Sequence, residues 1–202
     1  SADLAGTRGI ADEDGHGTAV SDVLLGAKND SGIHGVAFGA TLLVARTDTP
    51  GSCTNPDPAK DCSHDDNAIA RGVDLAVANN ARVINISLGG SPPNATLRAA
   101  LDRATAAGIV IVFSAGNDSG ANPDPFAQIA NDPLARNLII IAGALDASNA
   151  ALAGFSNQAG NGAAHYLGAL GEGVRAIDHT GASFLWSGTS FSAPIVSGAV
   201  AL

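Results

Sequence analysis

Four short runs rich in isoleucine and valine, residues 41–46 (TLLVAR), 82–87 (RVINIS), 109–114 (IVIVFS) and 138–142 (LIIIA), constrain this 202-residue chain more than any other feature. Each is mostly apolar with little alternation, which predicts strands covered on both faces. Helical patterns lie between them. Ser63 and Asp66 have the spacing of a capping box, with Ile69, Val73 and Val77 following on one face. A second helix is predicted from about Asn94, with Leu97, Leu101 and Ala104 on one face and Gly108 placed to end it. Strand–helix alternation of this kind predicts an α/β fold, a doubly wound, mostly parallel sheet with helices on both faces. Ligands of such sheets bind outside the carboxyl ends of the strands. Two of the runs end there in glycine turns, Ser87-Leu88-Gly89-Gly90 and Ser114-Ala115-Gly116-Asn117.

Composition narrows the function. Hydrophobic residues are 46% of the chain, enough for one core, and the net charge is −9. With Lys28 and Lys60 the only lysines, there is no basic cluster to displace counterions from a nucleic acid. No apolar run is long enough to span a membrane, and residues 1–9 lack the pattern of a signal peptide. Cys53 and Cys62 lie in a polar, proline-containing loop. A local disulfide in an exported protein is the preferred reading, with two free thiols as the alternative.

The segment Trp186-Ser187-Gly188-Thr189-Ser190-Phe191-Ser192-Ala193-Pro194 carries the chemistry. Proline is tolerated only near a helix start, so a helix is predicted to begin close to Ser190. A serine there has free backbone N–H groups beside it, which suits a nucleophile whose attack creates an oxyanion; it suits a plain N-cap equally well. The second segment, Asp14-Gly15-His16-Gly17-Thr18-Ala19-Val20, offers a histidine between glycines, the usual base for a serine nucleophile. His34, His64, His165 and His179 stand in loop-like contexts without such a neighbourhood.

Together these segments resemble the subtilisin-like serine peptidases, the subtilases. The matching stretches are His-Gly-Thr-Ala-Val at His16, Gly-Val-Ala-Phe-Gly-Ala at 35–40, Ile-Ser-Leu-Gly-Gly at 86–90, Ser-Ala-Gly-Asn at 114–117 and Ser-Gly-Thr-Ser-Phe-Ser-Ala-Pro at 187–194, in the family's order. An α/β-hydrolase is excluded by the lack of G-x-S-x-G and by histidine preceding serine. The resemblance implies a serine endopeptidase acting on protein or peptide substrates. Ser190 would be the nucleophile, His16 the base and Asn117 the oxyanion donor. Ser87, Leu88 and Gly89 would form an edge that pairs with substrate backbone, and Ser114, Ala115 and Gly116 a pocket wall. A catalytically silent peptide-binding module is the alternative.

One departure stands out. The family's aspartate, in Asp-Ser/Thr-Gly, has no match before His16. Asp14 sits too close to His16 to reach the ring's far nitrogen, and Asp178 in Ile-Asp-His-Thr-Gly matches the region ahead of the serine. Residues 1–202 therefore read as a partial peptidase domain truncated at both ends, with the aspartate expected upstream of Ser1. No organic cofactor is implied. Calcium is possible at the acidic clusters Asp12, Glu13 and Asp14, Asp57 and Asp61, and Asp65 and Asp66, although none has diagnostic ligand spacing. The stretch at 155–160 is similar to bacterial autotransporter subtilases, and the family implies an extracellular or cell-surface setting.

Overall fold

The computed structural model describes residues 1–30, 32–54 and 62–202. Its centre is a four-stranded parallel sheet in the order β3 (Val83–Ile86), β4 (Val110–Ser114), β5 (Ile139–Leu145) and β6 (Tyr166–Leu170). Alternate residues along each strand face opposite layers. Ile111, Phe113, Ile139 and Ile141 join Ile69, Val73, Leu97 and Leu101 from the helices α2 (Asp66–Ala78) and α3 (Ala95–Ala106). Val112 and Ala142 face the other way, against Ala193 and Val196 of α4 (Thr189–Ala201). Helices therefore cover both faces of a parallel sheet.

Three details differ from the expectation. The run at 41–46 forms only a two-residue strand, β2 (Ala45–Arg46), paired in parallel with β1 (Ala2–Asp3) in a separate sheet. Its partner is too short to pair with more of the run, and Leu42 is exposed. Strand β6 was not expected, because Tyr-Leu-Gly-Ala-Leu is half-exposed edge sequence with a central glycine. The capping box is also replaced: Asp65, not Ser63, caps α2 by accepting the Asn67 N–H at 2.9 Å. Asn94 does cap α3, accepting the Leu97 N–H at 3.0 Å.

Helix α1 (His16–Leu25) packs on α4 and on β7 (Val174–Ile177), which forms an antiparallel hairpin with β8 (Ser183–Trp186). The turn before α1 is held by Asp12, whose carboxylate accepts the N–H groups of Asp14, Gly15 and Thr18 and the Thr18 hydroxyl. Burial alone would raise the Asp12 pKa; the bonds from Thr18 and Gly15 outweigh it and hold the carboxyl well below its usual range. A network of ion pairs lies alongside. Arg8 meets Asp3 and Asp48, and buried Arg46 meets Asp48 and Glu13, the last two contacts at 2.8 Å each.

Candidate active site

Ser190 is the second residue of α4. The helix cap is Gly188 at φ 151°, which has no side chain to cap with, so Ser190 is not the N-cap. The role falls to Asn117, just past the carboxyl end of β4: its Oδ1 accepts both the Thr189 N–H (2.8 Å) and the Thr189 hydroxyl (2.9 Å). Because both are donors, they fix the orientation of the Asn117 amide and leave its NH₂ to point elsewhere. The Ser190 N–H, in the first turn of α4, has no helix carbonyl within reach of its i−4 bond. Asn117 is thus tied to Thr189, the residue before Ser190.

The turn carrying Asn117 needs two glycine-like features. Gly116 has φ 100°, a left-handed conformation that favours glycine, and a Cβ there would lie 2.4 Å from Asn157 Nδ2. Gly116 N–H donates to the Thr189 hydroxyl at 3.2 Å. Asn157, only 3% exposed, accepts the N–H groups of Asp118 (3.0 Å) and Gly120 (2.7 Å) and so braces the turn from behind.

His16 opens α1 after Gly15, whose φ of 91° requires glycine. A Cβ at Gly15 would lie 2.9 Å from His179 Nδ1 and 3.0 Å from Asp178 Cβ, so the β7–β8 turn presses directly on this point. The His16 ring meets the Phe191 ring edge-on, with centroids 5.8 Å apart, which brings it to the residue next to Ser190. Phe191 in turn packs on Trp186, at 5.4 Å. His64, whose loop context gave no sign of a role, also lies near His16. Burial pushes its imidazole below the ordinary value, nearby Asp48 opposes this and His16 adds to it, while Nδ1 shares a 2.9 Å hydrogen bond with the Thr47 hydroxyl.

The two glycine turns are tied together. Ser114 Oγ donates to the Leu88 carbonyl at 3.1 Å, and Ser87 Oγ donates to the Ser190 carbonyl at 2.9 Å. Asp124 closes the far side by accepting the Gly90 N–H at 2.9 Å, while a Cβ on Gly89 would come within 3.1 Å of its carboxylate. Ser87, Leu88, Gly89, Ser114, Ala115 and Gly116 therefore lie on two adjoining turns beside Ser190. A hollow of about 370 Å³ lies elsewhere, where β3 and β4 begin, lined by Asn80, Arg82, Gly108 and Val110, and holds none of these residues.

The two aspartates nearest in sequence to site segments are both engaged. Asp14 Oδ1 accepts the His16 backbone N–H at 3.1 Å, and burial and Asp12 push its carboxyl up. Asp178 Oδ1 accepts the Thr180 N–H, the Thr180 hydroxyl and the Ala182 N–H of its own turn. Cys53 and Cys62 form a disulfide with Cα atoms 4.4 Å apart. Among the described residues, the group close enough to share a metal is Asp14 with these two cysteines, whose sulfurs are bonded to each other. Asp65 caps α2 and Asp66 accepts the Asn94 N–H; Asp57 and Asp61 lie outside the described residues.

The model of the subtilase family matches residues 2–202. The chain belongs to the subtilase family. Subtilisin DY of Bacillus licheniformis is 33% identical over 192 residues, covering 95% of this chain and 64% of that protein. Subtilisin E of Bacillus subtilis is 30% identical over 197 residues, covering 97% of this chain and 47% of its own length. This subtilase thus spans about half to two thirds of the length of those relatives. Among solved structures, the patellamide maturation protease PatA superposes with a TM-score of 0.73 at 26% identity, covering 92% of this chain and 65% of PatA. The prenylagaramide maturation protease PagA, at 24% identity and a TM-score of 0.76 over 91% of this chain and 61% of its own, shows the shared fold.

Sequence reasoning missed Thr189, Asn157 and Asp124 as parts of this site. Thr189 stands beside Ser190 in the motif itself, and once buried its hydroxyl needs a partner. For the other two there was no local signal.

Proposed function

We propose that this subtilase domain is a serine endopeptidase in which Ser190 attacks the peptide carbonyl. His16 takes the Ser190 proton as the Oγ–C bond forms and gives it to the leaving amine nitrogen as the C–N bond breaks. Water then repeats the cycle on the acyl-enzyme: His16 takes its proton as the new C–O bond forms, then returns that proton to Ser190 Oγ as the Oγ–C bond breaks and the acid is released. The Asn117 amide and the Ser190 N–H stabilise the oxyanion at each step. The substrate lies extended along Ser87-Leu88-Gly89, with one side chain against Ser114-Ala115-Gly116. The observation that carries this reading is the pair of Thr189 donors on Asn117 Oδ1, because it ties Asn117 to the residue before Ser190 and leaves the amide NH₂ to donate to an oxyanion.

An aspartate on a strand inserted between β2 and β3 would supply the third triad member. The helix α2 packs on both: Gly72 closes on Ala45 of β2, while Ile69 and Val73 pack with Ile86 of β3. These two strands are not paired with each other. A strand set between them would lie about 4.8 Å from each, within the width of a helix about 10–12 Å across. The chemistry needs no organic cofactor, and the disulfide fits an exported setting.

The test is to express the chain extended upstream through an Asp-Ser/Thr-Gly strand and downstream beyond Leu202, then treat it with a fluorophosphonate and assay casein hydrolysis. Covalent labelling at Ser190, lost in Ser190→Ala, is expected together with hydrolysis. Asn117→Ala should lower kcat by roughly 10²–10³ with little change in KM, the loss known for subtilisin's own oxyanion donor. Peptide binding without labelling would instead establish a silent binding module.

A further inference from the structure

Pro194 lies six residues into α4 and is fully buried. In an α-helix the N–H of residue i bonds the carbonyl of residue i−4. For residue 194 that carbonyl belongs to Ser190, and proline has no N–H to give. The nucleophile's own carbonyl is therefore left without its helical partner.

The missing donor arrives from the sheet. Ser87 Oγ donates to the Ser190 carbonyl at 2.9 Å, Asn85 Nδ2 donates to Ser87 Oγ at 3.0 Å, and Ser197 Oγ donates to Asn85 Oδ1 at 3.0 Å. The direction of each bond is forced. A carbonyl only accepts, so Ser87 must donate to it; Ser87 oxygen then accepts from the amide nitrogen, and the amide oxygen remains for the Ser197 hydroxyl. Val83, Asn85 and Ser87 share the face of the β3 strand line that meets α4, whereas Ile84 and Ile86 face α2 and α3. Packing alone would be served by an apolar residue at Asn85, as Val83 serves it one step back, because a polar group at a sheet–helix interface costs stability unless bonded. Ser87 and Ser197 are buried, at 8% and 0% exposure.

We propose that Ser87, Asn85 and Ser197 are positioning residues, a relay that fixes the backbone of Ser190 where Pro194 leaves it unbonded. The relay begins and ends on α4 and is anchored on β3, so it locks the first turn of the nucleophile's helix to the sheet. Its effect on Ser190 is through the backbone, not the Oγ. This rests on the serine peptidase reading above.

The experiment is a double-mutant cycle in the full-length protein. Pro194→Ala restores an N–H that can bond the Ser190 carbonyl within the helix, and Ser87→Ala removes the outside donor. Alone, Ser87→Ala is expected to lower kcat on an unstructured peptide about three- to tenfold, with KM within about twofold, the worth of one hydrogen bond. In the Pro194→Ala background the same change should lower kcat less than about twofold, and its lowering of the thermal midpoint should shrink in parallel. Equal losses in both backgrounds, or a loss confined to KM, would overturn the relay. If Ser87→Ala alone does not fold, folding of the double variant supports the relay and its failure to fold refutes it. Fluorophosphonate labelling of the wild type separates the two claims: no labelling overturns the peptidase reading, while the coupling of thermal midpoints still reads the relay's central bond.

Discussion

Thr189→Val tests how Asn117, the proposed oxyanion donor, is held. Thr189 is fully buried, its hydroxyl donates to Asn117 Oδ1 at 2.9 Å and accepts the Gly116 N–H at 3.2 Å. Valine keeps the shape and removes both bonds. At about 1 kcal/mol net for each, the loss is about 2 kcal/mol, rising towards 3–4 kcal/mol because the Gly116 N–H is left without an acceptor. Asn117 keeps its bond from the Thr189 N–H at 2.8 Å, so its amide is loosened but not released. The effect on kcat should therefore fall short of the roughly 10²–10³ expected for losing the donor outright, and about tenfold with KM unchanged is the expected value. Urea denaturation gives the stability term, and initial rates on a chromogenic peptide give kcat and KM separately. A cycle with Asn117→Ala decides the mechanism: in the Thr189→Val background that change should cost about tenfold less than in the wild type. Fully additive losses would show that Thr189 acts independently of Asn117, and an unchanged kcat would refute the bracing role.

Other expectations follow from neighbouring features. Gly15→Ala puts a side chain at φ 91° and 2.9 Å from His179 Nδ1; it should destabilise by about 1–3 kcal/mol by denaturant midpoint and slow catalysis through His16. Replacing both Cys53 and Cys62 by serine should cost about 2–3 kcal/mol without abolishing the fold, and mass spectrometry of unreduced protein should find no alkylatable thiol. The Asp3 carboxyl is lowered from 3.8 to about 2: burial opposes this, and bonds from Arg8 and Ala5 outweigh it. Its stabilisation is therefore complete above about pH 4 and lost as pH falls through 2, so Asp3→Asn should flatten acid unfolding in that window.

The fold was legible where sequence acts locally. β4 and β5 open on unbroken Ile/Val runs, β3 interrupts one only at Asn85, and Asn94 caps α3 with its own side chain. Elements whose existence depends on a distant partner were not. Strand β2 is limited by the two residues of β1 that lie more than forty positions away, and β6 exists because β5 offers it a parallel edge. The ion pairs among Asp3, Arg8, Glu13, Arg46 and Asp48 belong to the same class, since no spacing in sequence brings those five side chains together.

The same division runs through the site. Ser190, His16 and Asn117 each sit at an abrupt backbone event, a helix start or a strand end, and glycines at φ 151°, 91° and 100° precede them. Those glycines are visible in sequence because a turn with φ in this positive range excludes most side chains. The groups that hold the site in shape leave no such mark. Asn157, Asp124 and Asn85 are ordinary polar residues until folding buries or half-buries them against a backbone N–H or hydroxyl that has no other partner. Their role is set by what the surrounding chain leaves unbonded. Pro194 is the exception that joins the two classes. Its missing N–H is written in the amino-acid sequence, and once a helix is placed at Ser190 it requires the Ser190 carbonyl to find a donor outside that helix.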